Sequence, residues 1–197
     1  MEIAIINYNA GNITSVQLAL ERLGLTPVLT RDPERLQRAD RVIFPGVGAA
    51  GATMQFLRDH QLDRVIKELR QPVLGICLGM QLLCQHSEED QADCLGIIPH
   101  QVKRFPNQPG LKVPHMGWNQ LALSANTWLP ADCQDEYVYF VHSYFVEEGP
   151  ETAATSQHGL RFSAALQHEN FFATQFHPER SGRVGERILE AFLQQNM

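Results

Sequence analysis

The chain has 197 residues, 44% of them hydrophobic and 19% charged, with a formal net charge of −6. That composition excludes an intrinsically disordered chain, and no apolar run approaches the roughly 20 residues of a membrane-spanning helix. The acidic balance argues against a nucleic-acid binder, which needs a basic face, but leaves room for a local basic patch. At this length a single domain over 1–197 is expected.

The start, Met1-Glu2 followed by Ile3-Ala4-Ile5-Ile6, lacks the basic residues and long apolar core of a secretory signal. It reads as a first strand, and the expected compartment is the cytoplasm, where thiols stay reduced. Asn-Ala-Gly-Asn at 9–12 is a turn signal. Ser15 to Leu23 carries Val16, Leu20 and Leu23 at helical spacing and stops at Gly24. Pro27-Val28-Leu29 predicts a second strand, and Asp32-Pro33-Glu34 a helix start with Asp as cap. Arg41–Phe44 is a third strand. A Gly-rich loop follows, then helices near Thr53–Asp59 and Leu62–Leu69. Pro72–Ile76 is a fourth strand running through Cys77 into an apolar helix that ends near His86. This alternation predicts an α/β fold, with a mostly parallel central sheet flanked by helices.

After about residue 94 short β-like stretches follow one another: 96–105, 118–123, 137–146, 153–156, 164–167 and 171–176. They predict a β-rich second half, with a surface loop at 106–114. Ser181 then caps a last helix, whose Val184, Ile188, Leu189 and Phe192 share one face. No internal repeat or linker interrupts the chain.

Four cysteines are present, Cys77, Cys84, Cys94 and Cys133, with no C-x-x-C or H-E-x-x-H spacing, so neither a metal site nor a disulfide framework is expected. Gly75-Ile76-Cys77-Leu78-Gly79 is the strongest local signal. It matches the nucleophile elbow with cysteine in place of serine. Glycines on both sides permit a sharp strand-to-helix turn, and the helix start beneath the sulfur favours the thiolate. A buried cysteine that merely packs there is the alternative, and it is the reading for the other three.

A cysteine nucleophile needs a base, and the base an orienting acceptor. His177-Pro178-Glu179 supplies both at a strand end, two residues apart on a chain expected to be extended. By itself such a tripeptide is an ordinary strand end and turn. Gly46-Val47-Gly48-Ala49-Ala50-Gly51 matches G-x-G-x-x-G, but follows the third strand, not the first, and lacks the acidic residue at the next strand end. Backbone amides for an oxyanion, shared with Leu78, are the better use of Val47 and Gly48. Tyr-Phe-Val-His-Ser-Tyr at 139–144 suits a strand emerging into a pocket or simply a half-buried strand, and Gln81 on the elbow helix either lines the same pocket or is solvated. Pro114–Asn119 puts Met116 and Trp118 on a loop, as interface anchors or tucked onto the core.

Together these motifs resemble the class I glutamine amidotransferases. The likeness covers nearly the whole chain, through Pro45–Gly48, Gly75–Gln81 and Gln175–Glu179. Within the family it is most similar to the glutaminase subunits of imidazole glycerol phosphate synthases, through Pro114–Asn119, Phe140–Tyr144 and Met80. Two departures stand out: Asn7-Tyr8-Asn9-Ala10-Gly11-Asn12 where Asp-Tyr-Gly-x-Gly-Asn is common, and Arg180 where Lys is common.

The resemblance implies a flavodoxin-like architecture and a Cys77, His177, Glu179 triad. It implies an oxyanion hole from Val47 or Gly48 and Leu78, and a glutamine site at Gln81, His142, Ser143 and Tyr144. No cofactor is implied. The ammonia would pass to a cyclase partner, an eight-stranded barrel, in a heterodimer of histidine biosynthesis; Met116, Trp118 and Asn119 would face it. Other readings are a glutaminase for another acceptor, such as anthranilate synthase, a cysteine hydrolase or peptidase on the same elbow, and a non-catalytic binding module.

Overall fold

The computed structural model describes residues 1–8 and 13–195. The turn signal at 9–12, with the Asn9 departure, lies outside the described residues. In chain order the elements are β1 (Ile3–Ile6), α1 (Ile13–Arg22), β2 (Val28–Thr30), α2 (Pro33–Arg38), β3 (Arg41–Phe44), α3 (Ala50–Asp59), α4 (Leu62–Glu68), β4 (Val73–Ile76) and α5 (Leu78–Leu83). The second half adds β5 (His86–Ser87), β6 (Ala92–Asp93), β7 (Gln101–Arg104), β8 (His115–Gln120), β9 (Ala122–Leu123), β10 (Tyr137–His142) and β11 (Tyr144–Val146). It closes with β12 (Thr152–His158), β13 (Leu160–His168), β14 (Phe171–Thr174) and α6 (Gly182–Leu193).

The main sheet runs β2-β1-β3-β4-β14-β13-β12-β9. From β2 to β14 every pairing is parallel, and β13, β12 and β9 continue antiparallel. The order 2-1-3-4 followed by one late parallel strand is the flavodoxin-like arrangement, so the expected class holds, β-rich second half included. β1, β3, β4 and β14 are buried almost throughout, as central strands covered on both faces must be. Two apolar cores result, one per face. Phe44, Met54 and Leu83 belong to one; Phe140, Phe162, Phe176 and Phe192 to the other. Burying each such ring contributes roughly 1.5–3 kcal/mol. Among the described residues no helix is long and apolar enough to cross a membrane.

Several boundaries differ from the sequence reading. α3 begins at Ala50, three residues early, because Glu89 and Asp90 accept from the amides of Ala50 and Gly51 at 2.9 and 3.1 Å. α5 stops at Leu83, and His86-Ser87 turns into a strand between β6 and β7. The stretch 137–146 is broken at Ser143 into two strands of different sheets. Pro114–Asn119 is largely strand, not loop: β8 pairs antiparallel with β10 from His115↔His142 to Gln120↔Tyr137. Ser181 precedes α6, but its hydroxyl makes no cap bond; it donates to the His177 carbonyl at 2.7 Å and accepts from the Tyr139 amide at 3.0 Å.

Candidate active site

β3, β4 and β14 are adjacent and parallel, so their carboxyl ends open onto one edge of the sheet. Open α/β sheets bind ligands at that edge. Pro45–Gly48 leaves β3 there, Cys77 leaves β4, and His177 follows β14.

Cys77 has φ +54° and ψ −109°, strained for a residue with a Cβ. The turn holds because its neighbours are glycines. A Cβ on Gly79 would lie 2.0 Å from the Phe44 carbonyl oxygen, and one on Gly75 would lie 3.0 Å from the Gly79–Met80 backbone. The Cys77 amide is anchored to the Thr174 carbonyl at 2.8 Å, which ties the elbow to β14. Cys77 is 7% exposed and lines a cavity.

His177 and Glu179 are buried, with side chains 3% and 1% exposed, and Nδ1 lies 2.8 Å from Oε1. The pairing is not made on an extended chain as the sequence suggested. Pro178–Arg180 forms a 3-10 turn that Pro178 starts, and the turn brings the carboxylate back to the ring. The backbone of His177 is held as well: its amide donates to the Tyr139 carbonyl at 2.9 Å. Burial opposes charge on the imidazole, but the charges of Cys77 and Glu179 outweigh it and push the His177 pKa up to about 10. Nε2 is buried, and with the pKa raised it carries a proton on the side of Cys77, where it can be given to a departing group.

The cavity measures about 280 Å³, small for a ligand pocket and of the class for one amino acid. Its lining brings together Val47, Gly48, Cys77, Leu78, Gln81, His142, Ser143, Tyr144 and His177. Every expected triad, oxyanion and glutamine residue is therefore at this cavity except Glu179, which lies behind His177. The dinucleotide alternative for Gly46–Gly51 fails physically. The start of α3 that would hold a pyrophosphate is already filled by Glu89 and Asp90.

Beside the cavity three polar groups form a one-way relay. His142 Nδ1 faces the Tyr144 carbonyl at 2.7 Å, which only accepts, so Nδ1 carries the proton and Nε2 accepts. His115 Nδ1 then donates to that Nε2 at 3.0 Å, and Asn119 Nδ2 donates to His115 Nε2 at 3.3 Å. Both imidazoles are neutral. Burial pushes the His115 pKa down to about 4 and that of His142 to about 3, with neighbouring histidines adding to it.

The three interface residues do not share a face. Met116 and Trp118 are 63% and 56% exposed on the outer face of the β8–β10 ribbon, where Tyr137 joins them at 52%. Asn119 is half-buried on the inner face, spending its amide on His115 and on the Gln157 carbonyl at 2.7 Å. Strand alternation separates them.

Sequence reasoning gave no role to Tyr137, His115 or Gln175. Gln175 is fully buried within an apolar run, and a buried polar residue in such a run is the informative kind of signal.

The model of the family described as Glutamine amidotransferase class-I matches residues 4–196. A protein of Bacteroides fragilis named imidazole glycerol phosphate synthase subunit HisH is 56% identical over 195 residues, 98% of this chain and 100% of that one. A protein of the same name from Idiomarina loihiensis is 50% identical, covering 98% of each. Among solved structures, a glutamine amidotransferase from Thermotoga maritima superposes with a TM-score of 0.66 at 20% identity, over 98% of this chain and 82% of that one, a likeness of fold. The chain belongs to the class I glutamine amidotransferase family.

Proposed function

We propose that this chain is the glutaminase subunit of an imidazole glycerol phosphate synthase, formed as a single domain over 1–197. Its substrate is glutamine and its partner is a cyclase subunit. The observation that carries the reading is the strained Cys77 elbow beside a buried His177 whose Nδ1 lies 2.8 Å from Glu179. Relatives named as that subunit, matched over nearly their full length, support the acceptor. The four unpaired thiols suit a reducing compartment, and we place the reaction in the cytoplasm.

In this reading the Cys77 thiolate attacks the carboxamide carbon of glutamine. A tetrahedral oxyanion forms and is held by the amides of Leu78 and of Val47 or Gly48. His177 gives its proton to the departing nitrogen, ammonia leaves, and a thioester remains. His177 then takes a proton from water, whose oxygen attacks the thioester and releases glutamate. Glu179 fixes the ring and stabilises its charged form. Both hydrogens of Gln81 Nε2 are committed, to the Tyr144 carbonyl at 3.1 Å and to Gln175 Oε1 at 2.9 Å. Gln81 therefore offers a ligand its oxygen, which suits the α-ammonium group of an amino acid. His142, Ser143 and Tyr144 form the opposite wall.

Met116, Trp118 and Tyr137 give the cyclase an apolar docking face. The test is ammonia and glutamate production from glutamine, with and without the cyclase and its nucleotide ligand. Release of both products in equal amounts, with no cleavage of peptides, is the expected result. Peptide cleavage, or a chorismate-using enzyme as the co-purifying partner, would overturn it.

A further inference from the structure

Gln175 precedes the His177-Pro178-Glu179 turn, and no step above uses it. Its side chain is fully buried at the end of β14, and Nε2 lies 3.7 Å from Cys77 Sγ. The orientation of its carboxamide follows from its neighbours. The Tyr144 carbonyl can only accept, so Gln81 must present Nε2 to it. That same Nε2 lies 2.9 Å from the next carboxamide, so Gln175 must present Oε1 to Gln81. Gln175 is then left with its N–H groups toward the sulfur.

Two of the polar groups around the sulfur make opposite demands on it. The Val141 carbonyl, 3.9 Å away, accepts and suits a thiol; Gln175 Nε2 donates and suits a thiolate. We propose that Gln175 is a further residue of the glutaminase reaction: it donates to the Cys77 thiolate, and Gln81 locks it in the donating orientation. The proposal rests on the glutaminase reading for its link to turnover, but not for its effect on the sulfur. Because Gln81 also lines the cavity, the group that meets the substrate is the group that aims the donor at the nucleophile.

Other titratable groups act on Cys77 as well. His177 faces it from the turn after β14, and Tyr8, whose hydroxyl donates to the Pro45 carbonyl, faces it from the end of β1. Neither is replaced in the Gln175 variants, and a neutral substitution adds no charge beside them, so its difference from the parent reports the carboxamide.

The experiment follows alkylation of Cys77 by iodoacetamide against pH in the full chain, with no glutamine present, alongside glutamine turnover in complex with the cyclase. Gln175→Met keeps the length and removes the donor. Gln175→Glu keeps an acceptor for Gln81 but turns an oxygen toward the sulfur. A hydrogen bond to a charged group corresponds to about tenfold in the thiolate equilibrium, or about one pH unit in the alkylation midpoint. The expected result is a midpoint moved upward by about that amount in Gln175→Met, further in Gln175→Glu, and a kcat lowered about tenfold with KM little changed. Gln81→Leu is expected to move the alkylation midpoint in the same direction although the Gln81 amide is bonded to Tyr144 and Gln175 and not to the sulfur. Should Gln175→Met fail to fold, Gln175→Leu, also neutral and without a donor, decides in its place, and the Gln175→Glu shift is read only beside a neutral variant because a carboxylate repels the thiolate in any case. A midpoint unmoved in the folded variants overturns the proposal. A moved midpoint in a chain that never hydrolyses glutamine leaves the proposal standing and removes the glutaminase reading instead.

Discussion

The amide of Leu78 donates to the carbonyl of Gly46 at 3.4 Å. Leu78 is the residue whose amide should meet the oxyanion, so in this structure one of the donors is already in use. The bond is long and weak, and it must open before a tetrahedral intermediate is fully held. Removing one such donor typically costs about 10²–10³-fold in rate. The free chain is therefore expected to turn glutamine over slowly, and docking of the cyclase with its nucleotide ligand to raise turnover. If the ligand acts on glutamine affinity, the coupling is about 1–3 kcal/mol, with the rate effect free to be larger. Glutamate production across a nucleotide titration checks this; flat turnover with binding confirmed would leave a stand-alone glutaminase.

Only one of the four cysteines should react. Cys84 is fully buried, and burial drives its thiol far upward; burial also pushes Cys94 and Cys133 up to about 11. Cys77 opens onto the cavity. Cys77→Ala is expected to abolish ammonia release, and the other three alanine variants to retain it. Loss of activity in a folded Cys84→Ala protein would refute the elbow assignment.

His177→Ala should lower kcat roughly 10²–10⁴-fold, the usual contribution of general acid–base catalysis. Glu179→Gln should cost less, since the amide oxygen still accepts from Nδ1 while its charge is gone. Steady-state kinetics with trapping of the thioester separates the two. Wild-type rates in His177→Ala would force the base to be His142, whose depressed pKa suits that task poorly.

The two faces of β8 predict opposite phenotypes. Trp118→Ala removes an exposed anchor and should weaken cyclase binding by at least about 30-fold, or about 2 kcal/mol, with the thermal midpoint unchanged. Asn119→Ala removes the donor to His115 and the Gln157 carbonyl, and should lower the midpoint while barely changing affinity. Calorimetry on both variants, in folding and in binding, tests the pair; the reverse pattern would mean the ribbon is docked by its other face.

Stability should fall on the acid side because of His115 and His142. Their unfolded value is about 6.5, and the fold holds them near 4 and 3. Between those limits the unfolded chain binds more protons than the folded one, so stability drops as pH falls from about 6.5 toward 4. Thermal midpoints against pH should show this decline. Histidine proton resonances should show both rings still neutral where exposed histidines have titrated. A flat acid limb would contradict the neutral relay.

What the sequence made legible follows from range of interaction. Ile3–Ile6, Arg41–Phe44 and the α2 cap at Asp32 are set by neighbouring residues, and the observed elements begin or end where the pattern does. Cys77 was legible because glycines on both sides leave a mark in the letters. His115–Gly117 is not, since that part of β8 exists through pairing with residues more than twenty positions on. The early start of α3 depends on Glu89 and Asp90, some forty positions away. The turn at Pro178 is not legible because proline both resists helix interiors and starts helical turns, and only the packing chooses between them. Adjacency in sequence places Asn119 with Trp118, whereas strand alternation puts neighbours on opposite faces.

The parallel pairing of β4 with β14 joins positions nearly a hundred residues apart, from Phe171↔Val73 to Thr174↔Ile76. Between them the chain crosses an exposed segment, residues 107–110. A chain opened there would put the nucleophile on one fragment and its base on the other, with neither able to run the reaction alone. Glutamine hydrolysis would then require the two pieces to re-form one sheet. The strand pairing that builds the site thus makes this scaffold suitable for a split reporter, in which released ammonia signals that two fused proteins have met.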